Sequence, residues 1–90
     1  MIPSPIDEIE KALDTLALPK LISRAEVKQQ YHFLAKKNHP DKGGSEERMI
    51  ALNHAYKLLI QYIEDFRYIF DKEEISKQFP GVDYVNRFKP

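Results

Sequence analysis

Apolar residues near the start of the chain recur at every third or fourth position. This spacing places them on one face of an α-helix, and the residues concerned are Ile6, Ile9, Leu13 and Leu16. Pro5 fits the first turn of such a helix, because a proline there removes no helical hydrogen bond. The pattern predicts a first helix that ends before Pro19.

A second helix is predicted from Ser23 to a point before Pro40. Ser23 and Glu26 form the pattern of a capping box, in which both side chains accept hydrogen bonds from free backbone N–H groups, and Pro40 disfavours helical geometry at His39. One face of this helix is apolar, with Val27, Tyr31, Leu34 and Ala35. The opposite face carries Lys28, His32, Lys36 and Lys37.

A third helix is predicted to begin at Ser45 and to run to about Phe70. Its apolar positions alternate steps of four and three, and they are Leu52, Tyr56, Leu59, Ile63, Phe66 and Phe70. Asp71 followed by Glu74 predicts the cap of a short fourth helix, which Pro80 and Gly81 end.

These elements predict an all-α fold. Its centre is an antiparallel hairpin of the second and third helices, with a short helix before it and a small helix after it. We expect residues 1–70 to form this core and residues 71–90 to form a helical extension that packs on it. Apolar side chains are available for that packing at Ile75, Phe79, Val85 and Phe88.

Composition narrows the class of protein. Ninety residues, 42% of them hydrophobic, suit one small domain, and there is no cysteine for a disulfide or a thiolate metal site. No apolar run approaches the roughly 18 residues of a membrane span, and the first residues do not resemble a secretory signal. We therefore expect a cytoplasmic monomer that does not bind membranes, metals or cofactors.

The formal net charge is zero, which argues against a surface built for nucleic acid. Positive charge is nevertheless concentrated in and just after the second helix. The loop that follows, "NHPDKGG", displays a histidine, a proline and an aspartate between two helices. Proline, aspartate and glycine are also ordinary turn residues, so the loop alone allows a purely structural role. No nucleophile stands beside His39 and Asp41, so we expect no enzyme.

With its flanks, this loop resembles a known family. The segment "VKQQYHFLAKKNHPDKGGSEERMIALNHAYKLL" is similar to the J-domain of DnaJ-type co-chaperones, whose signature His-Pro-Asp is here His39, Pro40 and Asp41. The resemblance covers about residues 6 to 60. It implies a module that docks on a DnaK-type ATPase chaperone and stimulates its ATP hydrolysis. The positions that it implies for partner binding are His39, Pro40, Asp41, Lys28, Tyr31, His32, Lys36, Lys37, Lys42 and Asn53.

The sequence also departs from this family. His32 and Phe33 occupy positions where the second helix usually carries two basic residues, and the usual fourth-helix motif is absent. A Gly/Phe-rich linker and paired cysteines are not found, so the clients are unknown. Two alternatives stay open: a small basic-helix module that binds nucleic acid, and a J-like interaction domain without stimulating activity.

Overall fold

The computed structural model describes residues 4–79, and every regular element in that range is helical. The elements are α1 (Pro5–Thr15), α2 (Arg24–Lys37), a short 3-10 turn (Pro40–Lys42), α3 (Glu46–Glu64) and α4 (Lys72–Lys77). The predicted all-α class is confirmed. Within residues 4–79, no helix has the length and apolar character that crossing a lipid bilayer requires.

The helices begin where side-chain oxygens can accept hydrogen bonds from the first free backbone N–H groups. At the start of α2, Ser23 Oγ accepts from the Glu26 N–H at 3.2 Å, and Glu26 Oε1 accepts from the Ser23 N–H at 3.2 Å. This is the predicted capping box. Single side-chain caps at Ser45 and Asp71 begin α3 and α4, also as predicted.

Helices α2 and α3 run antiparallel. An ion pair of 3.3 Å joins Arg24 at the start of α2 to Glu64 at the end of α3. Closer to the middle of both helices, the Tyr31 hydroxyl donates a hydrogen bond to Asn53 Oδ1. Because the start of one helix lies beside the end of the other, the connecting loop is left at one tip of the hairpin.

Helix α1 also packs antiparallel to α3. Arg48, in the first turn of α3, donates a hydrogen bond of 3.2 Å to the carbonyl oxygen of Thr15 at the end of α1. Gln30 of α2 donates to the Leu16 carbonyl oxygen at 3.0 Å, which fixes the end of α1 against the hairpin as well. The three helices enclose one small apolar core, made of Ala12, Leu16, Val27, Leu52, Ala55 and Leu59.

The prediction that the third helix continues to about Phe70 is wrong, because α3 ends at Glu64. Phe66 and Phe70 lie beyond it and are 48% and 82% exposed. The ion pair to Glu64 comes from the first residue of α2, so no part of α2 faces positions farther along. Residues 65–71 are aspartate, aromatic and β-branched residues with one arginine, most of which have low helix propensity. Without packing, that propensity does not sustain a helix.

Helix α4 lies beside the non-helical segment 66–70. Ile75 and Phe79 line a groove of about 570 Å³ together with apolar side chains of that segment. The main interhelical contacts of the described chain are those of α1 and α2 with α3. The division into a core of residues 1–70 and a packed extension of residues 71–90 stays a prediction, and Val85 and Phe88 lie outside the described residues.

Candidate partner-binding site

The loop between α2 and α3 is a closed turn held by its own backbone. The His39 carbonyl oxygen accepts hydrogen bonds from the Lys42 N–H at 2.9 Å and from the Gly44 N–H at 3.0 Å. Within this turn, the Gly43 N–H donates to the Pro40 carbonyl oxygen at 3.1 Å. Because Pro40 also has a fixed φ angle, the loop has little freedom to change shape.

The two glycines of the loop suit their positions for different reasons. Gly43 has a φ of +83°, in the left-handed region that residues other than glycine and asparagine rarely adopt. At Gly44 the constraint is space, since a Cβ there would lie 2.0 Å from the carbonyl oxygen of Asn38. Asn38 ends α2, and its Nδ2 donates to the Leu34 carbonyl oxygen at 2.8 Å.

His39 positions the residue that follows Pro40. Its Nδ1 accepts a hydrogen bond of 3.2 Å from the Asp41 N–H, and it lies 3.6 Å from Asp41 Oδ2. The Asp41 side chain is nonetheless 90% exposed. Among residues 4–79, His39 is its only neighbour at ion-pair distance. The loop therefore holds a carboxylate in solvent with its backbone fixed, which suits recognition of a cation on another molecule.

The predicted basic face of α2 is exposed along its length. Lys28, His32, Lys36 and Lys37 all lie in solvent. The last two line a shallow groove of about 380 Å³ with Lys42 from the loop and with Phe33, which is 61% exposed. The structure thus brings three lysines together beside the His-Pro-Asp turn, while Lys28 lies about 12 Å away along the helix from Lys36.

Tyr31 and Asn53 occupy a different environment from the other predicted partner-binding residues. Both are half-buried between α2 and α3, where they share a hydrogen bond. The Tyr31 ring also stacks on Tyr56, with ring centroids 4.1 Å apart and planes 10° from parallel. Their contacts hold the hairpin together, and a direct part in binding a partner stays a prediction for both.

Sequence reasoning missed Asn38, whose side chain and backbone both close α2 before the turn. The available signal was its position, since asparagine is favoured where a helix ends shortly before a proline.

Within residues 4–79 no group of histidine, aspartate or glutamate side chains is arranged to hold a metal ion. The chemistry that the site offers is recognition by charge, through one carboxylate and a set of ammonium groups.

The family comparison agrees with this geometry. The model of the DnaJ domain matches residues 11–71, which include α2, the His-Pro-Asp turn and α3. The chain belongs to the DnaJ domain family. The resemblance seen in the sequence is confirmed, and the hairpin with its signature loop is the part of the fold on which it rests.

Several proteins resemble this DnaJ domain. The chaperone protein dnaJ A6 of Oryza sativa subsp. japonica is 45% identical over 49 residues, 54% of this chain and 12% of its own length. The chaperone protein dnaJ 3 of Arabidopsis thaliana is 40% identical over 57 residues, 63% of this chain and 14% of its own. A 19.0 kDa protein of a Sinorhizobium species is 46% identical over 55 residues, 57% of this chain and 32% of its own.

The matched region is thus a small part of each of these relatives. No solved structure matches the chain significantly.

Proposed function

We propose that this DnaJ domain docks on a DnaK-type ATPase chaperone and stimulates its ATP hydrolysis. Membership of the DnaJ domain family supports this role, and two of the relatives described above are named as chaperones. The hydrolysis itself belongs to the partner. This chain supplies the surface that shifts the partner toward its hydrolytic state.

The observation that carries the proposal is the exposure of the Asp41 carboxylate on a fixed backbone. Its carboxylate is 90% exposed although its backbone is fixed by His39 and by the turn. Because the backbone is already fixed, binding of the carboxylate by an arginine of the partner costs no further backbone entropy, and a charge-assisted pair is stronger than a neutral hydrogen bond. A ten- to thousand-fold rate gain corresponds to about 1.4 to 4 kcal/mol, which a small polar interface can supply.

Lysines of α2 and of the loop guide the approach of the partner by electrostatic attraction. Lys36, Lys37 and Lys42 surround one groove beside the loop, so an acidic surface on the partner is attracted to the end of the hairpin that carries the loop. Exposed charges of this kind raise the association rate more than they raise the final affinity. Lys28 and His32 extend the same exposed face toward the start of α2.

The test is a single-turnover ATPase assay of a DnaK-type chaperone with and without the full chain. The proposal predicts that the hydrolysis rate rises and saturates with the concentration of this protein. If the chain binds the chaperone without changing the rate, the interaction belongs to a J-like domain that lacks stimulating activity. If it neither binds nor stimulates, docking on this class of chaperone is excluded.

A further inference from the structure

A second surface lies at the opposite end of the helical core from the His-Pro-Asp loop. A groove of about 480 Å³ runs between the first turns of α1 and the last turns of α3. A smaller groove of about 260 Å³ adjoins it and shares three of its lining residues. We call the apolar side chains that line these two grooves the distal apolar surface, and its main members are Pro5, Ile6, Ile9, Tyr62 and Phe66. Helix α3, 19 residues or about 28 Å long, separates this surface from the loop.

Large side chains of this surface are exposed to solvent. Ile6 is 69% exposed although it begins the predicted apolar face of α1, and Tyr62 is 50% exposed. Phe66 also borders the second groove, the one beside α4, so the apolar area continues into the segment 66–70. A continuous exposed apolar area of this kind is characteristic of an interaction site.

The rim of the distal apolar surface is acidic. Glu8, Glu10 and Asp65 border its grooves, against one basic residue, Arg67. Within residues 4–79 none of the three carboxylates has an ion-pair partner, and Asp65 accepts one hydrogen bond from Gln61 at 2.6 Å. The rim therefore attracts cations, and it repels the anionic surface of a typical membrane.

The exposed apolar side chains at the two ends of the molecule are thus bordered by charges of opposite sign. Near the loop, Phe33 lies among three lysines, which suit an acidic partner. At the other end, apolar side chains lie among carboxylates. A partner surface of uniform charge cannot complement both borders, so an occupant of the distal apolar surface must differ in charge from the partner that the three lysines attract.

We propose that the distal apolar surface binds a peptide segment whose apolar side chains are flanked by lysine or arginine. Its apolar residues contact Ile6, Tyr62 and Phe66, and its basic residues lie beside Glu8, Glu10 and Asp65. This binding does not use Asp41. It gives the domain a way to hold a protein segment while its loop engages another partner.

The experiment uses the full chain and three fluorescently labelled peptides. The first has a leucine- and phenylalanine-rich centre flanked by lysines, the second has the same centre flanked by glutamates, and the third has lysines around a glycine-serine centre. Fluorescence anisotropy measures each affinity at low and high salt. We expect the first peptide to bind at least about tenfold more tightly than either of the others.

Variants locate the binding site. Ile6→Ser and Tyr62→Ser should each weaken binding of the first peptide by about fivefold or more, because they remove exposed apolar contacts. Glu8→Gln combined with Glu10→Gln should weaken it and reduce its salt dependence. Phe33→Ser is the matched control, since it removes an exposed apolar side chain at the other end of the molecule. It should leave peptide binding unchanged, as should Asp41→Asn.

Any of four results would overturn the proposal. Equal binding of the glutamate-flanked peptide removes the role of the acidic rim, and absence of binding by all three peptides removes the site. Sedimentation that shows a dimer which Ile6→Ser dissociates would assign the surface to a second copy of the chain. Peptide binding that survives both Ile6→Ser and Tyr62→Ser would place the site elsewhere.

Discussion

Gly44 passes so close to Asn38 that a Cβ on the glycine would lie 2.0 Å from the asparagine's carbonyl oxygen. The end of α2 and the return of the chain toward α3 therefore meet at a contact that only glycine permits. His39, Pro40 and Asp41 lie between these two points. Their placement depends on this contact as much as on their own identities.

Gly44→Ala should consequently distort the loop. Because the obstacle is backbone and not a flexible side chain, we expect a loss of about 1 to 3 kcal/mol in the free energy of unfolding. Chaperone stimulation should fall at least about tenfold. Gly43→Asn is the control, since nothing lies near its Cβ position and asparagine tolerates positive φ. Denaturant unfolding and the ATPase assay measure both effects, and equal behaviour of the two variants would contradict the account of the loop.

Reversal of charge beside the loop should slow docking. We expect Lys36→Glu combined with Lys37→Glu to reduce the association rate with a DnaK-type chaperone about tenfold or more at low salt. The rate should also depend less on ionic strength. Stopped-flow fluorescence measures the rate. The matched control is Lys11→Glu combined with Lys72→Glu, which changes the net charge equally on other helices, and an equal effect from it would mean that only net charge matters.

The end of α3 at Glu64 predicts a sharp difference between two apolar positions. Leu59 is buried in the core, so Leu59→Ala should cost about 2 to 5 kcal/mol of unfolding free energy. Phe70 is 82% exposed, and Phe70→Ala should change stability by no more than about 0.5 kcal/mol. Chemical denaturation followed by circular dichroism provides the comparison. A large loss of unfolding free energy in Phe70→Ala would instead support a third helix that continues to Phe70, or an extension that packs on this side chain.

Ala17 offers a stabilising substitution. It has a φ of 54° just after α1, where the Leu18 N–H donates to the Leu13 carbonyl oxygen at 2.9 Å. This is a helix ending that favours glycine. Ala17→Gly should therefore raise the free energy of unfolding by up to about 1 kcal/mol. Ala12→Gly, inside α1, should lower it by about 1 to 2 kcal/mol instead, because it adds backbone freedom and removes a buried methyl group. A loss of stability in both variants would contradict this prediction.

Much of the fold follows from local rules that the sequence displays. Ser23 with Glu26, Ser45 and Asp71 each begin a helix as predicted, because a cap depends only on residues three positions apart. The two faces of α2 were also predicted correctly. The polarity of each face follows directly from the spacing of apolar and charged residues along the helix.

The end of α3 was not predictable in the same way. The spacing of Ile63, Phe66 and Phe70 is helical, but a helix at that point needs another helix to cover it, and α2 begins only at Arg24 opposite Glu64. Whether another helix packs on a given position depends on the tertiary structure, and the spacing of apolar residues does not determine it. The position of Asn38 against Gly44 is likewise set by the path of the loop in three dimensions.

The identities of the loop residues were evident from the sequence, but their arrangement was not. The resemblance singled out His39, Pro40 and Asp41 as a signature. Only the structure shows that His39 Nδ1 accepts from the Asp41 N–H while the carboxylate stays in solvent. Partner binding by these residues is a prediction that solution measurements must test.

The most direct measurement compares the full chain with its Asp41→Asn variant in a single-turnover ATPase assay of a DnaK-type chaperone. Asparagine keeps the size and turn preference of the side chain but removes its charge, so circular dichroism and thermal unfolding should not change. We predict that the wild-type chain accelerates hydrolysis at least about tenfold and that the variant retains less than about a tenth of that stimulation. A folded variant that stimulates within about twofold of wild type would contradict the role of Asp41.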